Sequence, residues 1–569
     1  MSSFLDSFIR TTDTEKSTIN TVDESSFFCY DLQTIKSDIK KFVIECGLRN
    51  LNETKKWLTE LNYCLDVEDE DLPEVEIDEE NYETYLMANT LFPIHEYARS
   101  SYFLKPIKTD RAVFLNFLCM YKMLEQNKPI DFTDMNTTTK WDYYSCLKKL
   151  NEILSVHLEE HEEDGFMYYL KGMVSIKLGN KNAALYLLCK AVNYLPLLWQ
   201  AWNELTKLID DRVTLSKLNL PAHWMKDFFL GQTYSKIQKN DDAFNILCKL
   251  YDNGFSKSHF VLSRIAAVYH NKRDINNALN LFKRLQIEDP FRIEDLDTYS
   301  NLLYVNEMKK ELAYLAHHVF SVNRYSAEAC CVVGNYFSLR GDHTKAAAYF
   351  QRAVKLNSNY VSALILRGHE FMEVKNARGA ITSYRDAIAM NPQDYRAWYG
   401  LGQTYEILKL PNYSLHYYKR AQLIRPDDSR MLIAMAEVYE KLNRFDEALR
   451  CYKRARNVGD VDSDALSRLA RLYTELGNED EAASAYKQLV KEIEGTPFSK
   501  DYADAYRYLA YHHVKLNQLH LAFQFAQLCL NFEETKEEGK TLLKEIAIRR
   551  DIEEHKNIEN HHSSELFNI

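Results

Sequence analysis

The apolar residues of this chain recur with a helical spacing. Within residues 445–459, Ala448, Tyr452 and Ala455 are four and three positions apart, and most of the residues between them are charged. This is the spacing of residues along the buried face of an amphipathic α-helix. The same spacing returns along most of the chain, so the pattern predicts many short helices separated by tight turns.

A second and longer period of about 34 residues organises these predicted helices. Seven consecutive anchor positions share this interval: Leu262, Leu296, Cys330, Leu364, Trp398, Leu432 and Leu466. Small or aromatic residues follow each anchor at fixed distances, which after Trp398 are held by Leu401, Gly402, Tyr405, Ser414, Tyr418 and Ala421. This spacing is that of the tetratricopeptide repeat, in which two antiparallel helices form one hairpin.

Each position of the repeat has a steric role. Gly402 and Gly368 on first helices, with Ala380 and Ala448 on second helices, allow the two helices of a hairpin to approach closely. Aromatic residues fill the space beside that contact, and a proline such as Pro426 ends the second helix. The sequence therefore predicts an all-α fold, a tetratricopeptide superhelical solenoid of antiparallel helix pairs.

The repeat also divides the chain into predicted regions. They are a disordered polar segment at 1–30, a degenerate helical region at 31–125 with an acidic linker at 66–80, a connector with a helix at 126–164, about ten to eleven repeats at 165–533, and a C-terminal helix with a polar tail at 534–569. The stretch from Leu215 to His223 is an atypical connector. The linker has ten carboxylates in fifteen positions, which is typical of a solvated segment. Residues 548–569 are rich in Glu, His and Asn and are expected to lack fixed structure.

Composition and charge narrow the class of protein further. The chain has only 16 glycines and 11 prolines in 569 residues, too few turn formers for a β-sandwich or barrel. Its formal net charge of −11 argues against nucleic acid as the main partner and favours a basic peptide or protein tail. The first residues do not show the basic segment followed by an apolar segment that is typical of a secretory signal peptide. No apolar run approaches the length of a membrane span, so we expect no membrane association.

Sequence patterns for catalysis or metal binding are missing. Residues 539–541 (Gly-Lys-Thr) resemble the end of a phosphate-binding loop, but the earlier glycine is replaced by Glu534 and no strand precedes it. The histidine pairs at 317–318 and 512–513 fall in predicted helices, where neighbouring side chains point in different directions. Eleven cysteines without a C-x-x-C pair indicate reduced thiols. We therefore predict a protein that is not an enzyme and has no cofactor or metal.

The candidate site is the concave groove that the first helices of such a solenoid line. Amide side chains there suit the backbone of an extended peptide, and carboxylates suit an arginine. The alternative is that these side chains are ordinary solvated polar residues. The candidate groove residues are Asn301, Asn335, His369, Tyr399, Gln403, Glu406, Glu437 and Glu440.

Several strings go beyond the repeat pattern and resemble subunit 8 of the anaphase-promoting complex. They include YRAWYGLGQTYEILK at 395–409, LPAHWMKDFFL at 220–230 and VGDVD at 458–462. The resemblance implies a non-catalytic scaffold of a ubiquitin ligase that promotes destruction of mitotic proteins, located in the nucleus and cytoplasm. It also implies a homodimer that pairs through its amino-terminal repeats and stacks on the other tetratricopeptide subunits. Its groove would receive an arginine-containing motif of the coactivator.

Two other functions compete with this interpretation. A stand-alone adaptor or co-chaperone that binds acidic peptide tails normally needs basic groove residues, whereas the predicted groove has Glu406, Glu437 and Glu440. A glycosyltransferase with a repeat extension needs an additional catalytic domain, and no segment of about 150 or more residues with a catalytic pattern remains outside the repeats. The adaptor is therefore the main alternative.

Overall fold

The computed structural model describes residues 31–65, 81–126, 137–160, 164–272, 274–426, 428–459, 464–492 and 500–566. In these ranges the chain forms α-helices joined by short turns and no β-strand. The chain divides into two compact units, Met1–Pro290 (unit 1) and Phe291–Ile569 (unit 2). The predicted all-α class is confirmed. The segment 1–30 and the acidic linker 66–80 lie outside the described residues.

Unit 1 contains a short π-helix at Tyr251–Phe255 and fourteen of the described α-helices. They are α1 (Leu32–Leu48), α2 (Asn52–Tyr63), α3 (Tyr82–Leu91), α4 (Tyr97–Leu104), α5 (Asp110–Gln126), α6 (Thr137–Glu160), α7 (Gly165–Lys177), α8 (Lys181–Tyr194), α9 (Trp199–Leu208), α10 (Arg212–Ser216), α11 (Met225–Lys236), α12 (Asn240–Leu250), α13 (His259–Asn271) and α14 (Ile275–Glu288). The connector predicted around Leu215 to His223 corresponds to the short α10 and a non-helical stretch after it.

Unit 2 is a series of hairpins followed by one long helix. Its helices are α15 (Leu296–Val305), α16 (Lys309–Val322), α17 (Ala327–Leu339), α18 (His343–Leu356), α19 (Val361–Glu373), α20 (Ala377–Met390), α21 (Tyr395–Ile407), α22 (Pro411–Ile424), α23 (Ser429–Lys441), α24 (Phe445–Gly459), α25 (Asp464–Glu475), α26 (Glu479–Glu492), α27 (Lys500–Lys515), α28 (Leu519–Cys529) and α29 (Lys536–Leu566). From α17 onward each first helix packs against its own second helix, which in turn packs against the first helix of the next hairpin.

Close packing within a hairpin depends on glycine facing an aromatic ring. A Cβ atom added to Gly402 would lie 2.3 Å from Cε1 of Tyr418, and one added to Gly368 would lie 2.6 Å from Cε1 of Tyr384. Both tyrosine side chains are almost fully buried. The repeat pattern predicts that these glycines face small residues of the second helix. The nearest groups are instead the tyrosine rings, which occupy the volume that the glycines leave empty.

The turn within each hairpin repeats its backbone conformation as well as its sequence position. The left-handed region is occupied at equivalent positions of successive repeats by Gly341, Lys375, Lys409, Asn443 and Gly477. Glycine and asparagine adopt a positive φ at low cost, whereas a lysine there costs roughly 1 kcal/mol. Lys375 (φ 62°) and Lys409 (φ 59°) show that tertiary packing outweighs this local cost.

The last helix corrects one expectation from the composition. Residues 548–569 are expected from their composition to lack fixed structure, but α29 continues to Leu566. Leu542 and Ile546 of α29 are buried among residues of the hairpin α27–α28, and Arg549 pairs with Glu545 one turn earlier at 2.7 Å. Because the segment contains neither glycine nor proline between 540 and 566, nothing local ends the helix that this packing begins.

Candidate functional site: the groove of unit 2

The eight candidate groove residues all lie on first helices of unit 2. Five of them, Asn301, Asn335, His369, Gln403 and Glu437, recur at the repeat interval and occupy equivalent positions on α15, α17, α19, α21 and α23. Equivalent positions of stacked hairpins face the same way, so these residues form one column, which we call the groove column. Tyr399, Glu406 and Glu440 lie beside it on α21 and α23.

At one end of the groove column, two asparagines bind each other. The amide nitrogen of Asn335 donates to Oδ1 of Asn301 and to Oγ of Ser300, both at 2.8 Å. The Asn335 side chain is buried, with 3% of its surface exposed. Both donors of its amide are therefore used to join α15 to α17, and that nitrogen is not free to grip a peptide backbone.

The histidine of the groove column is held in its neutral form. The hydroxyl of Tyr384 lies 2.9 Å from Nδ1 of His369. Burial, with a smaller contribution from the charge of Arg396, lowers the pKa of His369 to about 4. His369 is therefore an uncharged hydrogen-bonding group at neutral pH and presents no positive charge to a ligand.

This lowered pKa predicts a pH dependence of stability. In the unfolded chain His369 binds its proton near pH 6.5, whereas in the folded chain it does so near pH 4, so acid favours the unfolded state in that window. As the pH falls from 6.5 to about 4, the native protein should lose roughly 1–3 kcal/mol of unfolding free energy relative to the His369→Gln variant. Urea unfolding at a series of pH values measures the difference. His416→Gln, an exposed histidine of α22, is the control, and equal profiles for both variants would contradict the assignment.

The acidic part of the groove is already paired within the protein. Glu406 accepts a hydrogen bond from the hydroxyl of Tyr418 at 2.8 Å and forms an ion pair with Lys441. The ring of Tyr399 lies 5.3 Å from that of Tyr418. Gln403, one turn away from Tyr399 on α21, is half-buried. The side chain of Glu406 thus has a fixed orientation. A cationic ligand group would bind Glu406 either beside the ammonium of Lys441 or in its place.

The same holds one hairpin further along. Oε1 of Glu437 lies 2.6 Å from a guanidinium nitrogen of Arg468, which also contacts Asp464 at 3.1 Å. Burial raises the pKa of Glu437 and of Glu440. A carboxylate disfavoured by burial gains more from an added cation than a fully hydrated one does. Glu437 and Glu440 therefore remain suitable partners for a positively charged ligand group.

The groove also contains charged residues that the predicted set omits. Arg396, two positions before the anchor of α21, contacts Asp394 at 2.7 Å, and 45% of its side-chain surface is exposed. The charge of Asp297 on α15 acts on Arg396, and burial raises the pKa of Asp297. Arg396 lies two positions before the anchor Trp398 and Asp297 one position after the anchor Leu296, so the repeat spacing was the sequence signal that places both residues in the groove.

The corresponding face of unit 1 is covered by the protein itself. The indole of Trp57 on α2 stacks on Trp199 of α9 at 4.2 Å and meets Phe228 of α11 and Phe260 of α13 edge-on at 5.4 and 5.6 Å. These three partners lie on the first helices of consecutive hairpins. Thr54, also on α2, accepts a hydrogen bond from a backbone N–H of α9. The groove of unit 2 is therefore the better candidate for a ligand.

Other kinds of site find little support within the described ranges. No helix there is long and apolar enough to cross a bilayer. Nor does the described part of the chain bring together three or more His, Cys, Asp or Glu side chains in an arrangement that could hold a metal ion.

Stacked hairpins with a lined concave face define the class: a tetratricopeptide solenoid protein. Tetratricopeptide repeat models match residues 327–360, 365–429 and 433–499. The family model "Anaphase promoting complex subunit 8 / Cdc23" matches residues 34–266. The fold also resembles a crystal structure of the APC/C hetero-tetramer Cut9-Hcn1, with a TM-score of 0.52 at 16% identity over 83% of this chain and 96% of that chain.

Curated relatives agree with the family model. The chain is 38% identical over 296 residues to anaphase-promoting complex subunit 8 of Arabidopsis thaliana, which is 51% of each chain. It is 43% identical over 306 residues to the human cell division cycle protein 23 homolog, covering 51% of this chain and 50% of the relative. The chain thus spans about half the length of the curated relatives it matches. The resemblance to subunit 8 (Cdc23) of the anaphase-promoting complex is confirmed.

Proposed function

We propose that this chain is a non-catalytic scaffold subunit of the anaphase-promoting complex and that the groove of unit 2 binds a peptide motif of a coactivator. The match of residues 34–266 to the subunit 8 family supports the first part. The oriented carboxylates of Glu406 and Glu437, one hairpin apart in a groove lined by first helices, support the second. The observation that carries the proposal is this pair of carboxylates.

The chemistry of the two carboxylates favours an arginine in the bound peptide. Lys441 meets Glu406 through a single ammonium group on a flexible stem, and 54% of its side-chain surface is exposed. A guanidinium can bind both oxygens of a carboxylate at once, so it replaces or supplements such a lysine at a net gain. The ring of Tyr399 beside Glu406 offers a flat surface for the same guanidinium.

The scaffold role includes contacts with other proteins. We propose that two copies pair through their amino-terminal repeats, that the dimer stacks on other tetratricopeptide subunits, and that the protein works in the nucleus and the cytoplasm. The relatives' names support membership in the complex. Light scattering of the purified chain measures the pairing, and fluorescence microscopy of a tagged copy measures the location.

Affinity purification of the chain at its natural level tests the scaffold role. We expect it to elute in an assembly of about a megadalton that transfers ubiquitin to mitotic substrates, because one scaffold joins many subunits. Mass spectrometry identifies the subunits. Elution as a free monomer or dimer without ligase activity would refute the scaffold role and would leave the groove to be tested separately.

Neutralising the two groove carboxylates tests the peptide site. Glu406→Gln with Glu437→Gln keeps one acceptor oxygen on each side chain and removes both charges, so we expect affinity for an arginine-containing coactivator peptide to fall about 10- to 100-fold. Fluorescence anisotropy measures this affinity. The matched control, Asp386→Asn with Glu481→Gln, removes two charges from exposed positions on second helices. Unchanged affinity in the groove variant, or an equal loss in both variants, would contradict the assignment.

The alternative of an adaptor for acidic peptide tails has one observation in its favour, since Arg396 and Arg430 lie on first helices of unit 2. Each arginine, however, is bound by the carboxylate that caps its own helix, Asp394 at 2.7 Å and Asp428 at 3.3 Å. Glu440 of the same groove, in contrast, forms no salt bridge with any of the described residues, and its burial disfavours the unpaired carboxylate, so the groove favours a basic ligand over an acidic one.

A further inference from the structure

The second helices of unit 2 carry a basic surface that the groove does not use. We define it as Lys419 and Arg420 on α22 with Arg450, Lys453 and Arg454 on α24. All five side chains are exposed. Such a cluster is unexpected in a chain whose formal net charge is −11.

The geometry of α24 aims three of these charges at solvent. Its buried face consists of Ala448, Tyr452 and Ala455. At 3.6 residues per turn, Arg450, Lys453 and Arg454 lie on the opposite side of the helix. These three charges therefore do not contribute to the packing of the hairpin core.

The basic residues of the two helices face the same way. The ammonium of Lys419 lies 5.7 Å from the ring centre of Tyr439, and that of Lys453 lies 5.7 Å from the ring centre of Tyr473. In each case the tyrosine belongs to the first helix of the next hairpin. Since the two lysines occupy equivalent positions of consecutive hairpins and make the same contact, α22 and α24 present their basic residues on one continuous flank.

Intramolecular ion pairs do not explain this surface. Arg420, Arg450 and Arg454 form no salt bridge with any of the described residues, whereas Arg444, just before the same helix, pairs with Glu447. Arg450 and Arg454 are one turn apart, and like charges at that spacing destabilise a helix. Arg420 and Arg454 occupy the same position of two consecutive hairpins. The preceding hairpin has Asp386 at that position and the following hairpin has Gln488, so the repeat does not require a cation there.

The surface also has an apolar component. Leu423 lies one turn after Arg420 on the same face of α22, and 71% of its surface is exposed. An exposed leucine among cations matches a peptide that combines carboxylates with an apolar side chain. A nucleic acid matches it less well, because its charge density meets the repulsion of a net acidic chain and its backbone offers no apolar group.

We propose that this basic surface is a docking site for an acidic protein segment that carries an apolar residue. It is separate from the groove, because it lies on second helices and has the opposite charge. A partner bound there leaves the arginine-binding groove open.

Peptide binding to the full chain tests the proposal. The probe is a fluorescein-labelled peptide of about fifteen residues, rich in Asp and Glu, with leucine at its centre. Reversing three charges (R450E, K453E and R454E) should weaken binding at least about tenfold, and raising the salt from about 50 to about 300 mM should weaken binding to the native chain. Fluorescence anisotropy measures both, and circular dichroism checks that each variant is folded.

A matched variant separates the local surface from net charge. K355E with R378E and K491E makes the same change in charge at exposed positions of α18, α20 and α26, and we expect its affinity to stay within about twofold of the native value. Equal loss in both variants, or no binding to the native chain, would overturn the proposal. So would a single-stranded RNA of equal charge that competes more strongly than the peptide, since that result would indicate a nucleic acid site.

Discussion

Replacing Trp57 by alanine is expected to lower the free energy of unfolding of unit 1 by about 3 kcal/mol. Its indole stacks on Trp199 and meets Phe228 and Phe260 edge-on. Because these three partners belong to consecutive hairpins, one truncation removes contacts that join α2 to all of them. The aromatic pairs add to the loss of buried area.

The same helix provides the control for this experiment. Tyr63 is also on α2, but 87% of its surface is exposed, so Tyr63→Ala should change stability by less than about 0.5 kcal/mol. Urea unfolding followed by tryptophan fluorescence measures both variants. Faster hydrogen exchange across α1 and α2 should accompany the Trp57 substitution. A loss no larger than that of Tyr63→Ala would show that α2 does not anchor this face of unit 1.

Replacing Gly402 by leucine should destabilise unit 2 by about 3 kcal/mol, near the upper end for an overpacked core. Even a Cβ atom would lie 2.3 Å from the ring of Tyr418. That ring cannot easily move aside, because only 1% of the surface of Tyr418 is exposed and its hydroxyl donates a hydrogen bond to Glu406. The substitution should therefore also disturb Glu406 and weaken peptide binding in the groove.

A second substitution distinguishes a steric clash from a general effect on the helix. Tyr418→Ala in the background of Gly402→Leu vacates the volume that the leucine needs, so the double variant should recover at least about 1 kcal/mol relative to the sum of the two single variants. Thermal and urea unfolding of all four proteins complete the cycle. Additive losses would contradict the contact between Gly402 and Tyr418 as the cause.

The candidate site was predictable in position but only partly in chemistry. Eight residues were expected on first helices that line a groove, and all eight lie on first helices of unit 2. The pairing of Asn335 with Asn301 and of Glu406 with Lys441 was not anticipated. A long side chain can reach several partners in the next hairpin. A repeat pattern predicts only the face of the helix on which that side chain lies, not the partner it binds.

The sequence alone determined the class of fold, the length of the repeat and which face of each helix is buried. These properties are local, because a constant period of small, aromatic and apolar positions specifies one hairpin, and stacking repeats that hairpin. The tertiary structure decided which charges neutralise each other, that α2 covers the first helices of unit 1, and that basic residues of α22 and α24 share one flank. These depend on contacts between residues far apart in the sequence, such as Trp57 and Trp199, and no local pattern encodes such contacts.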